Sequence, residues 1–187
     1  MAGYYFVNNK SSMFQAQSEN VHEVSIAELN STYSDSLAKI NKTPWVIPEL
    51  KDSLRPLAER LTVDSKIQKD SPKIVANIYR LYSASFLMAF NGDIGKIREG
   101  VLWSRRAVEL YSNWSDRDEF TESISFFQSM LDGNSASGVD VKKLLYHVLR
   151  IGMIESPSRQ VADATDQAYE LIVEMKDASQ NKQLDTK

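Results

Sequence analysis

Hydrophobic positions in this chain recur every three or four residues, and the periodic stretches are separated by residues that start or stop helices. A cap residue, or a proline in the first turn, is typical of a helix start. Such starts occur at Ser25 with Glu28, Pro48, Ser71-Pro72, Asp93, Ser115 with Asp118, Ser137 or Asp140, and Ser156-Pro157. Asn91-Gly92 and Gly133 are typical helix stops. The pattern therefore predicts six or seven helices joined by short loops.

Strand signals are nearly missing, because β-branched residues do not alternate with polar ones between turn pairs. The predicted fold is all-α, a single compact bundle of six to seven helices. Residues 73–90 are apolar almost all round, with Lys73, Asn77 and Arg80 forming one polar stripe. This stretch is the predicted buried central helix. It is too short and too polar to span a bilayer, so no membrane association is expected.

The two ends of the chain differ from the helical region. Residues 1–24 are rich in Asn, Gln and Ser and have no sustained period, apart from an aromatic start at Tyr4, Tyr5 and Phe6. We predict a flexible N-terminal arm whose aromatic residues bind a partner, with a frayed terminus as the alternative. The helical domain is predicted to cover residues 25–177. The polar residues 178–187 are predicted to form a short disordered tail.

Composition bounds the class of protein more than its function. The 187 residues are 42% hydrophobic and include no cysteine, so one core can form without disulfides or thiolate chemistry. The first residues lack the basic and apolar pattern of a secretory signal. We therefore expect an intracellular, cytoplasmic protein.

Charge is unevenly distributed although the net charge is only −3. Residues 66–106 carry eight Lys or Arg against three Asp or Glu, and both flanking regions are acidic. A basic surface that holds a nucleic-acid backbone would form if the third and fourth helices are antiparallel neighbours. Its predicted residues are Lys66, Lys69, Lys73, Arg80, Lys96, Arg98 and Arg105.

The helix predicted over residues 94–114 tests this idea, because it combines arginines with tryptophans. At 100° per residue, Trp103 and Trp114 point roughly opposite to Arg98 and Arg105. Bases could not easily stack on those rings while the same helix holds phosphates. The spacing favours a structural helix with a solvated arginine ridge.

Reactive constellations are absent from the sequence. The two histidines, His22 and His147, have no carboxylate or second histidine at ligand spacing, and His147 fits a structural role in an apolar stretch. The glycines and lysine of residues 92–96 have the wrong spacing for a phosphate-binding loop. No serine has the surroundings of a nucleophile. We expect no metal, no cofactor and no enzymatic activity.

Three roles remain open. The preferred one is a non-enzymatic interaction or assembly protein that self-associates or binds a protein partner, because the apolar residues exceed what one bundle needs. The alternative is a nucleoprotein or coat-type protein that binds RNA or single-stranded DNA through the basic middle region. The third is a regulator that binds one partner helix in a groove.

Overall fold

Eight α-helices and one 3₁₀ helix make up the described part of the chain. The computed structural model describes residues 25–133 and 138–184, apart from the side chains of 44–46 and 177–184. The elements are α1 (Ile26–Lys42), the 3₁₀ helix (Pro44–Glu49), α2 (Leu50–Leu61), α3 (Ser65–Asp70), α4 (Pro72–Met88), α5 (Ile94–Leu110), α6 (Arg117–Asp132), α7 (Val141–Gly152) and α8 (Ser158–Leu184). These residues contain no strand. The predicted all-α fold is confirmed.

Helix α4 is the centre of the bundle. Every residue from Val75 to Leu87 is buried, and α1, α2, α3, α5, α7 and the 3₁₀ helix all pack against it. The prediction of a buried central helix over 73–90 is confirmed. A helix that is apolar almost all round removes that apolar surface from water only when other elements enclose it. The other elements therefore form a shell around α4.

Three of the predicted caps operate as expected. Ser25 Oγ accepts a hydrogen bond from the backbone N–H of Glu28 at 3.1 Å, and the carboxylates of Asp93 and Asp140 cap α5 and α7. The short helix α3 was not predicted. It has only six residues, fewer than two turns, so no hydrophobic period can be recognised in it. Asp64 caps it by accepting from the N–H of Ile67.

Helices α4 and α5 form a closely packed antiparallel pair. A Cβ atom added to Gly100 would lie 2.5 Å from Leu87 Cγ, so only glycine allows this approach. Ser83 Oγ donates to the Gly100 carbonyl at 2.6 Å across the same contact. The Trp103 ring packs against Tyr82 with ring centroids 5.0 Å apart. Trp103 is therefore a core residue, as the structural interpretation of this helix requires.

Helix α8 runs along α7 and buries one face, formed by Val161, Ala164, Thr165 and Ala168. Its backbone stays helical to Leu184, into the segment predicted to be a disordered tail, while residues 185–187 lie outside the described part. The segment contains Ala, Gln and Leu and no Gly or Pro that would end a helix. None of the described helices has an apolar stretch long enough to cross a membrane.

Candidate functional site

Arg80 does not lie on a basic surface, and this part of the prediction is wrong. Its side chain is 0% exposed at the middle of α4, on the polar stripe that it forms with Lys73 and Asn77. Asn77 is also buried, and its side-chain oxygen accepts a hydrogen bond from Trp114 Nε1 at 2.8 Å. Asn77 and Arg80 can be buried because their polar groups make hydrogen bonds inside the protein.

The partner of Arg80 is Asp116, the residue just before α6. Arg80 donates from Nη1 to Oδ1 at 3.0 Å and from Nη2 to Oδ2 at 2.9 Å, in the bidentate geometry that suits guanidinium and carboxylate. Arg150 of α7, also fully buried, donates from Nη2 to Asp116 Oδ2 at 2.7 Å. The backbone N–H of Glu155 donates to the same oxygen at 3.0 Å. We call Arg80, Asp116 and Arg150 the buried charge cluster.

Backbone carbonyls complete the buried charge cluster. Arg80 donates to the carbonyls of Ile151 and Arg150, and Arg150 donates to those of Met153 and Ser156. These carbonyls lie at the end of α7 and in the turn that follows it, so the cluster joins α4, the start of α6 and the entry to α8. The Phe120 ring covers Arg80, with its centroid 3.9 Å from the guanidinium carbon.

The protonation state of the cluster follows from these contacts. Burial by itself would raise the pKa of Asp116, but hydrogen bonds from Arg80 and the positive charges of Arg80 and Arg150 outweigh it, so the pKa lies below its usual value. The cluster therefore holds an ionised carboxylate between two guanidinium groups. It offers no proton donor or acceptor near neutral pH, so its role is to join elements of the fold.

Asp116 is one of several acidic residues at the start of α6, where negative charge complements the helix dipole. The structure gives that role to Asp118 and Glu119, which lie in the first turn of α6, while Asp116 makes no side-chain cap. The sequence signal that could have identified the cluster was the presence of single arginines, Arg80 and Arg150, between apolar neighbours in α4 and α7. Such charges are usually paired when buried.

The other predicted basic residues lie on α3, α4 and α5. Lys73 Nζ contacts Glu155 at 2.8 Å beside the first turn of α4. Lys96 donates to the Ala89 carbonyl at the opposite end of the α4–α5 pair. The remaining four are exposed, two on α3 and two on α5: Lys66, Lys69, Arg98 and Arg105. Because α4 and α5 are antiparallel, Lys73 and Lys96 lie at opposite ends of the pair.

Arg98 and Arg105 share an exposed ridge on α5 with Leu102, which is 44% exposed between them. Arg105 Nη2 donates to Gln128 Oε1 on α6 at 2.9 Å. The ridge faces away from the buried Trp103 ring, so the structure separates these arginines from the tryptophans, as the helical spacing indicated.

A groove between α7 and α8 is a concave feature that the sequence did not reveal. Its inner part is a cavity of about 400 Å³ between α6, α7 and α8. The lining residues are Glu122, Asp140, Lys142, Lys143, Tyr146, His147, Ala162, Thr165 and Asp166. Lys142 Nζ and Asp166 Oδ1 form an ion pair 2.6 Å long across the two helices. We call this cavity, with the α8 residues that continue its wall, the α7–α8 groove.

His147 lies at the bottom of the groove and is only 4% exposed. Ser123 Oγ lies 2.9 Å from the Glu119 carbonyl oxygen and 3.1 Å from His147 Nδ1, within hydrogen-bond distance of both. Burial lowers the pKa of His147, which favours the neutral ring. The ring stacks on Phe126 with centroids 4.2 Å apart and is one of the groups that line the cavity.

Apolar side chains continue the outer wall of the groove. Tyr169 and Val173, one helical turn apart on α8, are 37% and 39% exposed, and Val141 at the start of α7 is 40% exposed. Along α8, Ala162, Asp166, Tyr169 and Val173 follow one another at spacings of four, three and four residues, so they share one face. The apolar outer wall therefore leads directly into the cavity.

Within the part of the chain that the structure describes, no group of three or more His, Asp or Glu side chains could hold a metal ion. The predicted partner-binding residues Tyr4, Tyr5 and Phe6 lie outside the described residues.

Comparison with protein-family models, curated proteins and solved structures found no match. The fold and the α7–α8 groove therefore define the molecule as an all-α protein with a partly apolar groove.

Proposed function

We propose that this protein is a non-enzymatic assembly protein that self-associates through the α7–α8 groove. The observation that carries the proposal is the exposure of Tyr169, Val173 and Val141 beside a cavity of about 400 Å³. Single exposed apolar residues are ordinary on a soluble protein. Several of them along one groove are typical of an interaction site.

The lengths of the helices support this proposal. Helix α8 has 27 residues and α7 has 12, which correspond to about 40 Å and about 18 Å at 1.5 Å per residue. Helix α7 therefore covers less than half of α8. The buried face of α8 ends at Ala168, and the residues that follow are mostly exposed although Tyr169, Val173 and Met175 are large and apolar. A second protein surface would bury them.

Light scattering coupled to size-exclusion chromatography tests the proposal. The expected result for the wild-type protein is a mass that is a multiple of the 21.2 kDa chain and changes little with salt. Val173→Asp should shift the mass toward that of one chain. Gln167→Asp is the matched control, because Gln167 is exposed on the opposite side of α8 and receives the same charge. A wild-type protein that stays at 21.2 kDa over a wide concentration range would contradict the proposal.

Nucleic-acid binding is the second candidate function, and the exposed Arg98–Arg105 ridge on α5 favours it. Such a surface would hold phosphates without reading sequence, because its contacts would be electrostatic. The test is binding to mixed single-stranded oligonucleotides at increasing salt, together with the 260/280 nm absorbance ratio of the purified protein. Affinity that falls steeply with salt, and that Arg98→Glu with Arg105→Glu removes, would support it. Absence of binding at low salt would refute it.

A further inference from the structure

We propose that the aromatic segment Tyr4–Phe6 of a second copy of the chain occupies the α7–α8 groove, with a tyrosine ring in the cavity beside His147. This inference rests on the proposed function, self-association, and names the segment that each copy supplies. It joins two independent observations: an aromatic segment that precedes the described residues, and a groove with exposed apolar walls that leads into a cavity lined in part by His147.

The cavity has the size and chemistry for one aromatic ring with a polar tip. Its volume of about 400 Å³ lies in the range of pockets that enclose ligands. Tyr146 and Ala162 supply apolar wall, and the nearly buried His147 is also among the lining residues. A tyrosine combines an apolar ring with a hydroxyl that can hydrogen-bond to the polar groups of such a wall. This chemistry favours Tyr4 or Tyr5 over Phe6 as the inserted residue.

The outer wall and the charges of the groove fit the rest of the same segment. Tyr169 and Val173 offer an apolar surface to the second and third rings. Three carboxylates and two ammonium groups line the cavity, so its net charge with neutral His147 is −1. The first eighteen residues of the chain contain one charged residue, Lys10. The segment itself is uncharged, Lys10 that follows it has the sign opposite to the groove, and no acidic residue of the segment opposes binding.

The connection to α1 is long enough for the segment to reach another copy. Val7 and Ser25 are eighteen residues apart, and an extended chain of that length spans up to about 60 Å. Helix α1, where this connection joins the body, packs mainly on α4 and the 3₁₀ helix, whereas the groove is built from α6, α7 and α8. Each copy would then donate one segment and accept another, which is a head-to-tail contact that builds rings or open chains.

A mixing experiment tests the inference. In the arm variant Tyr4, Tyr5 and Phe6 are replaced by Ser, and in the groove variant Ala162→Trp fills the cavity from an exposed position of α8. Each variant alone should have the mass of one chain. An equimolar mixture should form dimers and nothing larger, because only the groove variant's segment and the arm variant's groove are intact. Gln167→Trp, on the opposite side of α8, is the matched control and should assemble as the wild type does.

The outcomes separate the inference from the proposed function. If the wild type assembles and the arm variant assembles equally well, the inference fails and self-association stands. If the mixture stays at the mass of one chain, the segment does not bind a second copy, and the inference fails in the same way. If the wild type is monomeric, both fail. Tyr4→Phe with Tyr5→Phe tests the hydrogen bond of the tyrosine hydroxyl separately and should weaken assembly about three- to tenfold.

Discussion

Replacing Asp116 with asparagine should destabilise this protein strongly, although the two side chains have nearly the same shape. Asp116 accepts four hydrogen bonds, two from Arg80, one from Arg150 and one from the Glu155 backbone. Asparagine turns one acceptor oxygen into a donor that faces guanidinium donors and leaves two buried positive charges without a counter-ion. Breaking a buried ion pair in this way costs about 3–5 kcal/mol. That is a large share of the roughly 5–15 kcal/mol by which most proteins are stable.

Urea unfolding followed by circular dichroism measures this loss. In a temperature scan of the same variant, the unfolding midpoint should fall by about 6–20 °C, at roughly 2–4 °C per kcal/mol for a chain of this size. Asp118→Asn is the control, since Asp118 is exposed in the first turn of α6 and its charge is worth about 1 kcal/mol or less. The pKa of Asp116 is lower in the folded protein than in the unfolded chain. The stability that Asp116 contributes is therefore complete above its pKa in the unfolded chain, and it is lost as the pH falls through its pKa in the folded protein. A loss below about 1 kcal/mol at neutral pH would refute the reasoning.

Three other changes test separate parts of the structure. Gly100→Ala should cost about 1–3 kcal/mol in urea unfolding, because the new Cβ would overlap Leu87; an unchanged midpoint would mean that α4 and α5 are less closely packed. Arg98→Glu with Arg105→Glu should change the free energy of unfolding by only about 0.5 kcal/mol per site, since both side chains are exposed; loss of the helical circular dichroism signal would mean that the ridge is interior. The free energy of unfolding should decrease as the pH falls below 6.5, because burial lowers the pKa of His147 and the unfolded chain binds the proton more readily; His147→Asn should remove this part of the pH dependence.

The buried charge cluster marks the limit of what the helical pattern could predict. The period of residues 73–90 located the central helix correctly, but Arg80 on its polar stripe was predicted to lie on a basic surface. The pattern describes the sides of one helix and not what lies against them. Arg80 is buried because Asp116, 36 residues later, and carbonyls from the end of α7 satisfy its donors.

The α7–α8 groove illustrates the same limit for the candidate site. His147 was expected to have a structural role, and its hydrogen bond with Ser123 and stacking on Phe126 are consistent with one. The cavity beside it depends on how α6, α7 and α8 diverge, which no local sequence signal reports. The exposure of Tyr169 and Val173 likewise depends on the greater length of α8 over α7.

The sequence by itself determined the all-α class, the position of the central helix and most helix ends. These features follow from caps, prolines, glycines and a 3.6-residue period, which act between residues a few positions apart. Only the tertiary structure decided that Arg80 pairs with Asp116, that Lys73 and Lys96 lie at opposite ends of the α4–α5 pair and that a groove opens beside α8. These features depend on contacts between residues far apart in sequence, and burial changes the energy of a charged or polar group according to the partners it finds there.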